Sequence, residues 1–550
     1  MDSYDEFQEE RQAVGSVTVA NYNRYNRSYR EFNYDLLVNM NKKISDDLSI
    51  SGLIGTNIRR TKTTSIFAST NGGLVIPRLY SIANSLNQVN APTEFEGEVG
   101  VDGYFAQAAA NFKNFLVLDM TIRQDQSSTL PDGENTFYYP SISGGFVFSE
   151  LLGTSGFLDY GKIRVNYAEV GNSAPIYSIL DDYTKPTPFG SVPLFSVPGT
   201  KNNPILKPET TKSFEGGLEA TFLKGMIGFD VTYYQSSTID QIIPVSITTA
   251  TGYNSKYINA GEVQNKGFEV SVFTKPIATK DFIWNLDFNW SKNTNEVISL
   301  ADGIDNLQIA SLQGGVSINA ALGEAFGTIR GSNFTFDDNG NKIVGSNGFY
   351  VRTSTSNEII GDMNPDWIGS ISNRFQFKSL TASFLIDIRS GGDIFSLDQY
   401  YGQGTGLYKN TIGLNDLGNP KRNSLADGGG VILPGVLADG TPNTKRVAAD
   451  RYSGPYGWAR NPAAAFVYDG SYVKLREVTL GYSIPASMLK NVKALNGIDI
   501  TLVGRNLWII DKNLPDADPE EQFSSGNISG YQGGAYPTAR TFALNVKLKF

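Results

Sequence analysis

Apolar and polar residues alternate with a period of two along most of this chain, which is the spacing of side chains on the two faces of a β-strand. The last stretch is the clearest: Phe542, Leu544, Val546, Leu548 and Phe550 are apolar, and Thr541, Ala543, Asn545, Lys547 and Lys549 between them are small or polar. The same pattern recurs upstream. Tyr34, Leu36, Val38 and Met40 predict a strand that turns through Lys43 into Leu48, Ile50 and Ile54. After a long Asn- and Thr-containing stretch, Tyr104–Phe112 turns at Lys113-Asn114 into Leu116, Leu118, Met120 and Ile122. Ser141–Phe148 and the run Ile163, Val165, Tyr167 follow. Phe214–Phe222 turns at Leu223-Lys224-Gly225 into Ile227, Phe229, Val231 and Tyr233. Phe268, Val270 and Val272 precede a turn at Pro276, and Phe282, Trp284, Leu286, Phe288 and Trp290 come after it. Trp367–Phe377 passes through Lys378-Ser379 into Leu380–Ile388.

About sixteen such strands are expected, the first a weak one near Val17–Tyr25, and their connections mostly alternate between long and short. Read backwards from the C-terminus, Asp511–Pro537 is long, Pro485–Gly497 shorter, Ser390–Asp469 very long and Lys378-Ser379 tight. Asn293–Pro365, Pro276–Asp281, Ser237–Lys266 and Leu223–Gly225 continue the series. Hairpins joined tightly at one end and loosely at the other describe an all-β, transmembrane antiparallel β-barrel. A β-sandwich or propeller does not separate loop lengths by parity in this way.

Composition narrows the function. The chain has 550 residues, and no composition break divides it, so residues 1–550 read as one barrel portion. No apolar run approaches the roughly 18 residues of a transmembrane helix, while a mean hydropathy of −0.22 is compatible with alternating strands. Cys and His are both absent, which removes disulfides, thiolate chemistry and the commonest general base and metal ligand. No enzyme activity, cofactor or metal site is expected. A net charge of −9 argues against nucleic acid as a partner. Met1-Asp-Ser-Tyr-Asp-Glu lacks a basic region followed by an apolar core, so no signal peptide is visible and an earlier segment is expected.

Several segments together resemble one family, the SusC/RagA-type TonB-dependent outer-membrane transporters. They are Tyr468–Pro485, Gly504-Arg-Asn-Leu-Trp508, Asp518-Pro-Glu520 and Tyr536-Pro-Thr-Ala-Arg540, in that order. Upstream they are Gly361–Trp367, Arg389–Ile394, Leu206–Thr210, Asn265–Glu269 and Tyr139–Ser143. The resemblance implies a barrel of about 22 strands, of which this chain supplies about the last sixteen, without plug domain, signal peptide or TonB-contacting segment. It further implies uptake of an oligosaccharide or peptide under a SusD-like surface lipoprotein, energised by the TonB complex through an N-terminal part outside this chain, in a wall embedded in outer-membrane lipid. A passive porin is the alternative reading, and a secreted adhesin or lectin-like β protein a more distant one.

Candidate site residues follow from chemistry. The longest loop carries Tyr400, Tyr401, Tyr408, Tyr452, Tyr456 and Trp458. Of these, Tyr400, Tyr401, Tyr456 and Trp458 are the candidates for stacking on substrate, against the alternative that they pack the loop. Asp119, Arg123, Lys162, Arg164, Asp230 and Asp287 fall on the polar parity and are expected to face the lumen. Asp337-Asp-Asn-Gly-Asn341 reads as a turn rather than a calcium loop, and Glu520-Glu521 as a solvated loop.

Overall fold

The structure is a computed structural model that describes residues 2–12, 19–152, 156–186, 188–449, 454–489, 495–522, 524 and 526–550. Its main feature is an antiparallel sheet of sixteen strands in sequence order. They are β1 (Asp2–Arg11), β2 (Tyr22–Lys43), β3 (Leu48–Ser69), β4 (Thr93–Phe112), β5 (Leu116–Ser127), β6 (Thr136–Phe146), β7 (Leu158–Asn172) and β8 (Glu209–Phe222). Then come β9 (Ile227–Ile239), β10 (Glu262–Ala278), β11 (Phe282–Ser299), β12 (Pro365–Phe377), β13 (Leu380–Gly391), β14 (Tyr472–Ile484), β15 (Gly497–Lys512) and β16 (Thr541–Lys549). The chain divides into two compact units. The first (Met1–Val147, Arg164–Glu215, Ser236–Glu262) holds β1 to β6, the second (Phe148–Ile163, Gly216–Gln235, Val263–Phe550) holds β11 to β16, and β7 to β10 contribute to both.

Tight turns and long loops alternate from β7 onward as expected, whereas earlier the loop-side connection 128–135 is shorter than the turn-side connection 147–157. At Lys113-Asn114 both residues are left-handed (φ 50° and 61°), Phe115 N–H donates to Phe112 C=O at 3.2 Å, and Phe112 pairs with Leu116, so a three-residue connection joins the strands. Leu223, Lys224 and Lys378 also have positive φ. Such turns set register, and register decides which face each side chain takes.

The faces are inverted relative to a water-soluble sheet. Leu36 is 66% exposed and Val38 55%, while Asp119 and Arg123 on the opposite parity of β5 are half-buried. Apolar side chains line up across strands, as in Leu116–Phe146, Met120–Ile142, Ile500–Val546 and Leu502–Leu544. The described hydrophobic cores lie elsewhere. Leu130, Ala174 and Leu206 form one among the loops of the first unit, and Val316, Ile318, Ile329, Met363, Phe395, Ala463, Phe466 and Tyr531 form another among those of the second.

Three expectations need correcting. The first strand is Asp2–Arg11; residues 13–18 lie outside the described residues, and Tyr22–Tyr25 open β2. Acidic and lacking apolar alternation, β1 is held instead by side-chain pairs with β2, such as Tyr4 stacked on Tyr29 at 5.2 Å and Arg24 over Phe7 at 4.9 Å. The Asn- and Thr-containing stretch after Ile54 is mostly strand, because β3 runs for 22 residues and β4 for 20, against the roughly 9–11 that a membrane requires. The apolar parity occupies only the halves beside the tight turns. The other halves lack that sustained apolar parity and are tied by pairs such as Arg60–Asp102 (2.6 Å) and Lys62–Glu98 (2.8 Å). Finally, β10 continues through Pro276 to Ala278, and the turn shrinks to Thr279–Asp281, closed by Thr279 N–H to Phe282 C=O at 2.8 Å.

This parity has a measurable consequence. Leu544 faces Leu502 on the apolar side and Asn545 faces Thr501 on the polar side. Leu544→Arg is expected to cost about 2–4 kcal/mol in detergent or bilayer unfolding titrations, and Asn545→Arg much less. Equal costs would contradict the facing.

Candidate functional site

The three long loops nearest the C-terminus, 300–364, 392–471 and 513–540, all belong to the second unit and fold against one another. The first forms an antiparallel sheet of Asn306–Leu312, Val316–Ala321, Thr328–Gly331 and Glu358–Asp362. In the second, Asp393–Ser396 pairs antiparallel with Val467–Asp469 and parallel with Tyr531–Gln532 of the third. Side chains from all three meet in the core around Phe395 and Phe466. A buried polar cluster locks the same junction: Ser396 Oγ donates to Gln532 Oε1 at 2.6 Å, Gln532 Nε2 to Asp398 Oδ2 at 2.5 Å, and Gln399 Nε2 to Pro515 C=O at 3.0 Å.

Ser396 also starts the helix Leu397–Thr405, its Oγ capping Gln399 N–H, and left-handed Gly406 ends it. Tyr400 and Tyr401 ride on this helix. Segment 454–458 lies directly on it, because a Cβ at Gly457 would come within 2.7 Å of the Gly404 Cα. That approach stacks Trp458 on Tyr400 at 5.9 Å and 17° between rings, with Tyr401 edge-on to Tyr400 at 5.0 Å. Phe395 and Phe466 back Tyr400 at 5.7 and 5.2 Å. The outer faces stay open, Trp458 being 47% and Tyr401 40% exposed, and Gln313 Nε2 donates to the Tyr401 hydroxyl at 2.5 Å.

Three of the four candidate aromatics thus converge on one platform. Tyr456 is half-buried nearby, its hydroxyl without a hydrogen-bond partner among the described residues. Tyr408 packs beside Gly402 on the helix, and Tyr452 lies outside the described residues. Burial raises the Tyr400 and Tyr456 phenols, and burial together with the Tyr401 and Tyr400 rings pushes Tyr531 up to about 12, so these hydroxyls stay neutral donors.

The lumen candidates lie on the polar parity of four strands, Asp119 and Arg123 on β5, Arg164 on β7, Asp230 on β9 and Asp287 on β11. Asp119 accepts from Gln107 Nε2 at 2.5 Å, and Arg123 pairs with Asp125 at 2.7 Å, over the Phe105 ring. Arg164 is on β7, Asp230 accepts from Thr232 at 3.2 Å, and Asp287 stands opposite Ser372. Asp337–Asn341 forms the expected turn, with Asp337 Oδ1 accepting from the N–H groups of Asn339 (3.0 Å) and Asn341 (2.7 Å).

Glu520-Glu521 departs from expectation in part: Glu520 is exposed but engaged in ion pairs, and Glu521 is buried. Arg476 of β14 bridges Asp387 of β13 (2.5 Å) and Glu520, whose other oxygen takes Arg476 Nη1 at 2.6 Å and Lys474 Nζ at 2.7 Å. Lys474 also pairs with Asp518, and the Tyr472 hydroxyl donates to Glu520 at 3.1 Å. Lys474 and Asp518 are buried, as is Glu521 beside Gln532. This clasp fastens loop 513–540 to the sheet. Its only sign in the sequence is the fixed grouping Asp518-Pro-Glu520, whose partners lie more than forty residues away, as Lys474 does from Asp518.

Burial by itself would raise the Asp518 and Glu520 carboxyls, but the hydrogen bonds from Lys474 and Thr538, and from Arg476 and Lys474, hold both below their ordinary values. A lowered folded-state value contributes stability that is complete above the unfolded range near pH 4 and is lost as pH falls through the folded values. Loop 513–540 is therefore expected to resist limited proteolysis at pH 5 and to open only in stronger acid. Lys474→Met leaves Asp518 buried without its cation and is expected to cost roughly 3–5 kcal/mol and open the loop at neutral pH. An unchanged digestion pattern would count against the clasp.

Comparison with known proteins points one way. Residues 2–507 match the model of the family described as TonB dependent receptor-like, beta-barrel. The chain is 25% identical, over 96% of its length, to the TonB-dependent receptor P3 of Formosa agariphila, covering 52% of that relative. It is 26% identical over 81% of its length to the TonB-dependent receptor SusC of Bacteroides thetaiotaomicron, covering 43% of it. The solved structure of the RagAB peptide transporter superposes with a TM-score of 0.74 at 19% identity, covering all of this chain and 59% of that one. The chain spans about half the length of the curated relatives it matches.

Proposed function

Because the chain belongs to the TonB-dependent receptor-like β-barrel family, we propose that it forms the wall and outer loops of an importer that takes up an oligosaccharide fragment across the outer membrane. TonB supplies the energy through a part of the transporter outside these residues, and a separate SusD-like surface lipoprotein closes over the loops. The lumen-parity charges Asp119, Arg123, Arg164, Asp230 and Asp287 line the transit path.

The observation that carries the substrate class is the platform. Trp458 and Tyr401 present open ring faces, and Tyr400 fixes them from behind. Flat, pre-ordered aromatic surface is suited to the apolar faces of sugar rings, because little side-chain entropy is lost when it is covered. An ordered set of loops also answers why so long a connection is kept, since long loops are costly unless they act.

Binding to the purified protein is measured by titrating a panel of linear oligosaccharides and, separately, a tryptic peptide pool. Oligosaccharide is expected to bind, with Trp458→Ala and Tyr401→Ala each weakening it by up to about tenfold, the loss of an aromatic contact worth roughly 0.5–1.5 kcal/mol. Unaltered affinity in both variants removes the platform from the site. Binding of peptides alone replaces oligosaccharide by peptide as the cargo. A photoreactive residue at position 458 is expected to cross-link to a surface lipoprotein in native membranes.

A further inference from the structure

The tight turns of the second unit share a chemistry that transport does not explain. Each fully described one carries a lysine: Lys224 between β8 and β9, Lys280 between β10 and β11, Lys378 between β12 and β13. Backbone hydrogen bonds join neighbouring turns into a rim. Leu223 N–H donates to Phe157 C=O (2.9 Å), Lys275 N–H to Met226 C=O (2.7 Å), Lys378 N–H to Asp281 C=O (2.9 Å) and Ser483 N–H to Ser379 C=O (2.8 Å).

Two of these lysines stand where lysine is a poor choice for the backbone. Lys224 has φ 59° and Lys378 φ 52°, positions that glycine or asparagine occupies with less strain. A long cationic side chain held there serves its own chemistry rather than the turn's. Among the described residues, none of the three ammonium groups has an ion-pair partner; that of Lys378 lies over the Phe377 ring at 5.5 Å. Directly beside the rim, Leu223, Met226, Ile277, Phe377 and Leu380 point exposed apolar side chains outward. Those side chains belong in hydrocarbon, which sets the lysines at the level of the headgroups, their stems along the apolar edge and their charges reaching out. In the first unit, left-handed Lys113 also lies over a ring, Phe112 at 5.5 Å, but it differs in pairing with Asp47 at 3.5 Å.

We infer that the lysine rim of the tight turns binds the phosphodiester headgroups of anionic phospholipids in the membrane leaflet on that side. A lysine ammonium, a compact point charge on a flexible stem, suits a mobile phosphate better than a fixed bidentate partner would. The contact anchors the depth of the sheet in the bilayer and draws anionic lipid to its tight-turn edge.

The test uses protein purified from outer membranes and reconstituted in phosphatidylcholine nanodiscs containing a minority of phosphatidylglycerol. Spin-labelled phosphatidylglycerol and spin-labelled phosphatidylcholine report the immobilised fraction of each lipid. The unaltered protein is expected to hold the anionic label severalfold more than the zwitterionic one. The triple variant Lys224→Gln, Lys280→Gln, Lys378→Gln should lose that preference, and the corresponding Lys→Arg triple should keep it. Lys280→Gln alone, at a position without left-handed strain, should lose part of it, which preserves the test if the triple fails to fold. Lys409→Gln with Lys421→Gln, on the loop side, should change nothing. Equal preference in the glutamine variants, or displacement of the label by inorganic phosphate, would overturn the inference.

Discussion

In hydrocarbon no water is present to satisfy a peptide group, so every backbone N–H and C=O within the membrane must find a partner on a neighbouring strand. The rest of this structure depends on that constraint. It forces a continuous antiparallel ladder in sequence order, and antiparallel neighbours can be joined by turns of two to four residues at one end. It leaves side chains, rather than backbone, to meet the lipid, which accounts for Leu36, Met120 and Leu544 on the apolar parity of their strands and Asp119, Arg123 and Asp287 on the polar parity of theirs. Where the strands run on beyond the apolar parity, water can satisfy both faces, and the ladder continues through residues as polar as Arg59-Arg60-Thr61-Lys62.

The sheet cannot build a hydrophobic core of its own when its apolar face is given to lipid. In the second unit that core appears among the loops instead, around Phe395 and Phe466. Loops packed in this way resemble a small domain more than a set of flexible connections, and they can hold an aromatic platform at fixed geometry. The cost is burial of polar groups, and at the junction they answer one another: Ser396, Gln399 and Gln532 are joined together and to Asp398, and Lys474 to Asp518 and Glu520. Buried ion pairs add little net stability, but leaving one partner alone is expensive, so the clasp selects a single seating for loop 513–540.

The short motifs shared with the family acquire physical meanings from these contacts. Gly361–Trp367 and Arg389–Ile394 lie against each other, Arg389 Nη2 donating to Met363 C=O at 3.0 Å and Asp362 N–H to Asp393 Oδ2 at 2.9 Å. A Cβ at Gly361 would meet the Asp393 side chain at 2.8 Å, so the glycine is what lets the two segments touch. Asp518-Pro-Glu520 is the anionic half of the clasp and Lys474–Arg476 its cationic half. Motifs that look independent along the chain are therefore two sides of the same junctions.

The sequence by itself determined the strands, their faces and the alternation of tight turn and long loop, because these depend on neighbours two residues apart and on turn chemistry that is equally local. Lys113-Asn114 and Leu223-Lys224-Gly225 were legible for that reason, as were Tyr34–Met40 and Phe542–Phe550. Local patterning did not reveal β1 or the far halves of β3 and β4, since a polar strand in water shows no alternation and exists only because its neighbour extends beside it. Nor did it distinguish a platform from scattered loop aromatics. Tyr400 and Trp458 are brought together by the Gly404–Gly457 approach, and nothing in the residues between them encodes that contact. The ion pairs of Glu520 were hidden for the same reason: Arg476 and Lys474, and the Tyr472 hydroxyl that joins them, lie on a strand far back in the chain, and only the tertiary structure folds the loop onto them.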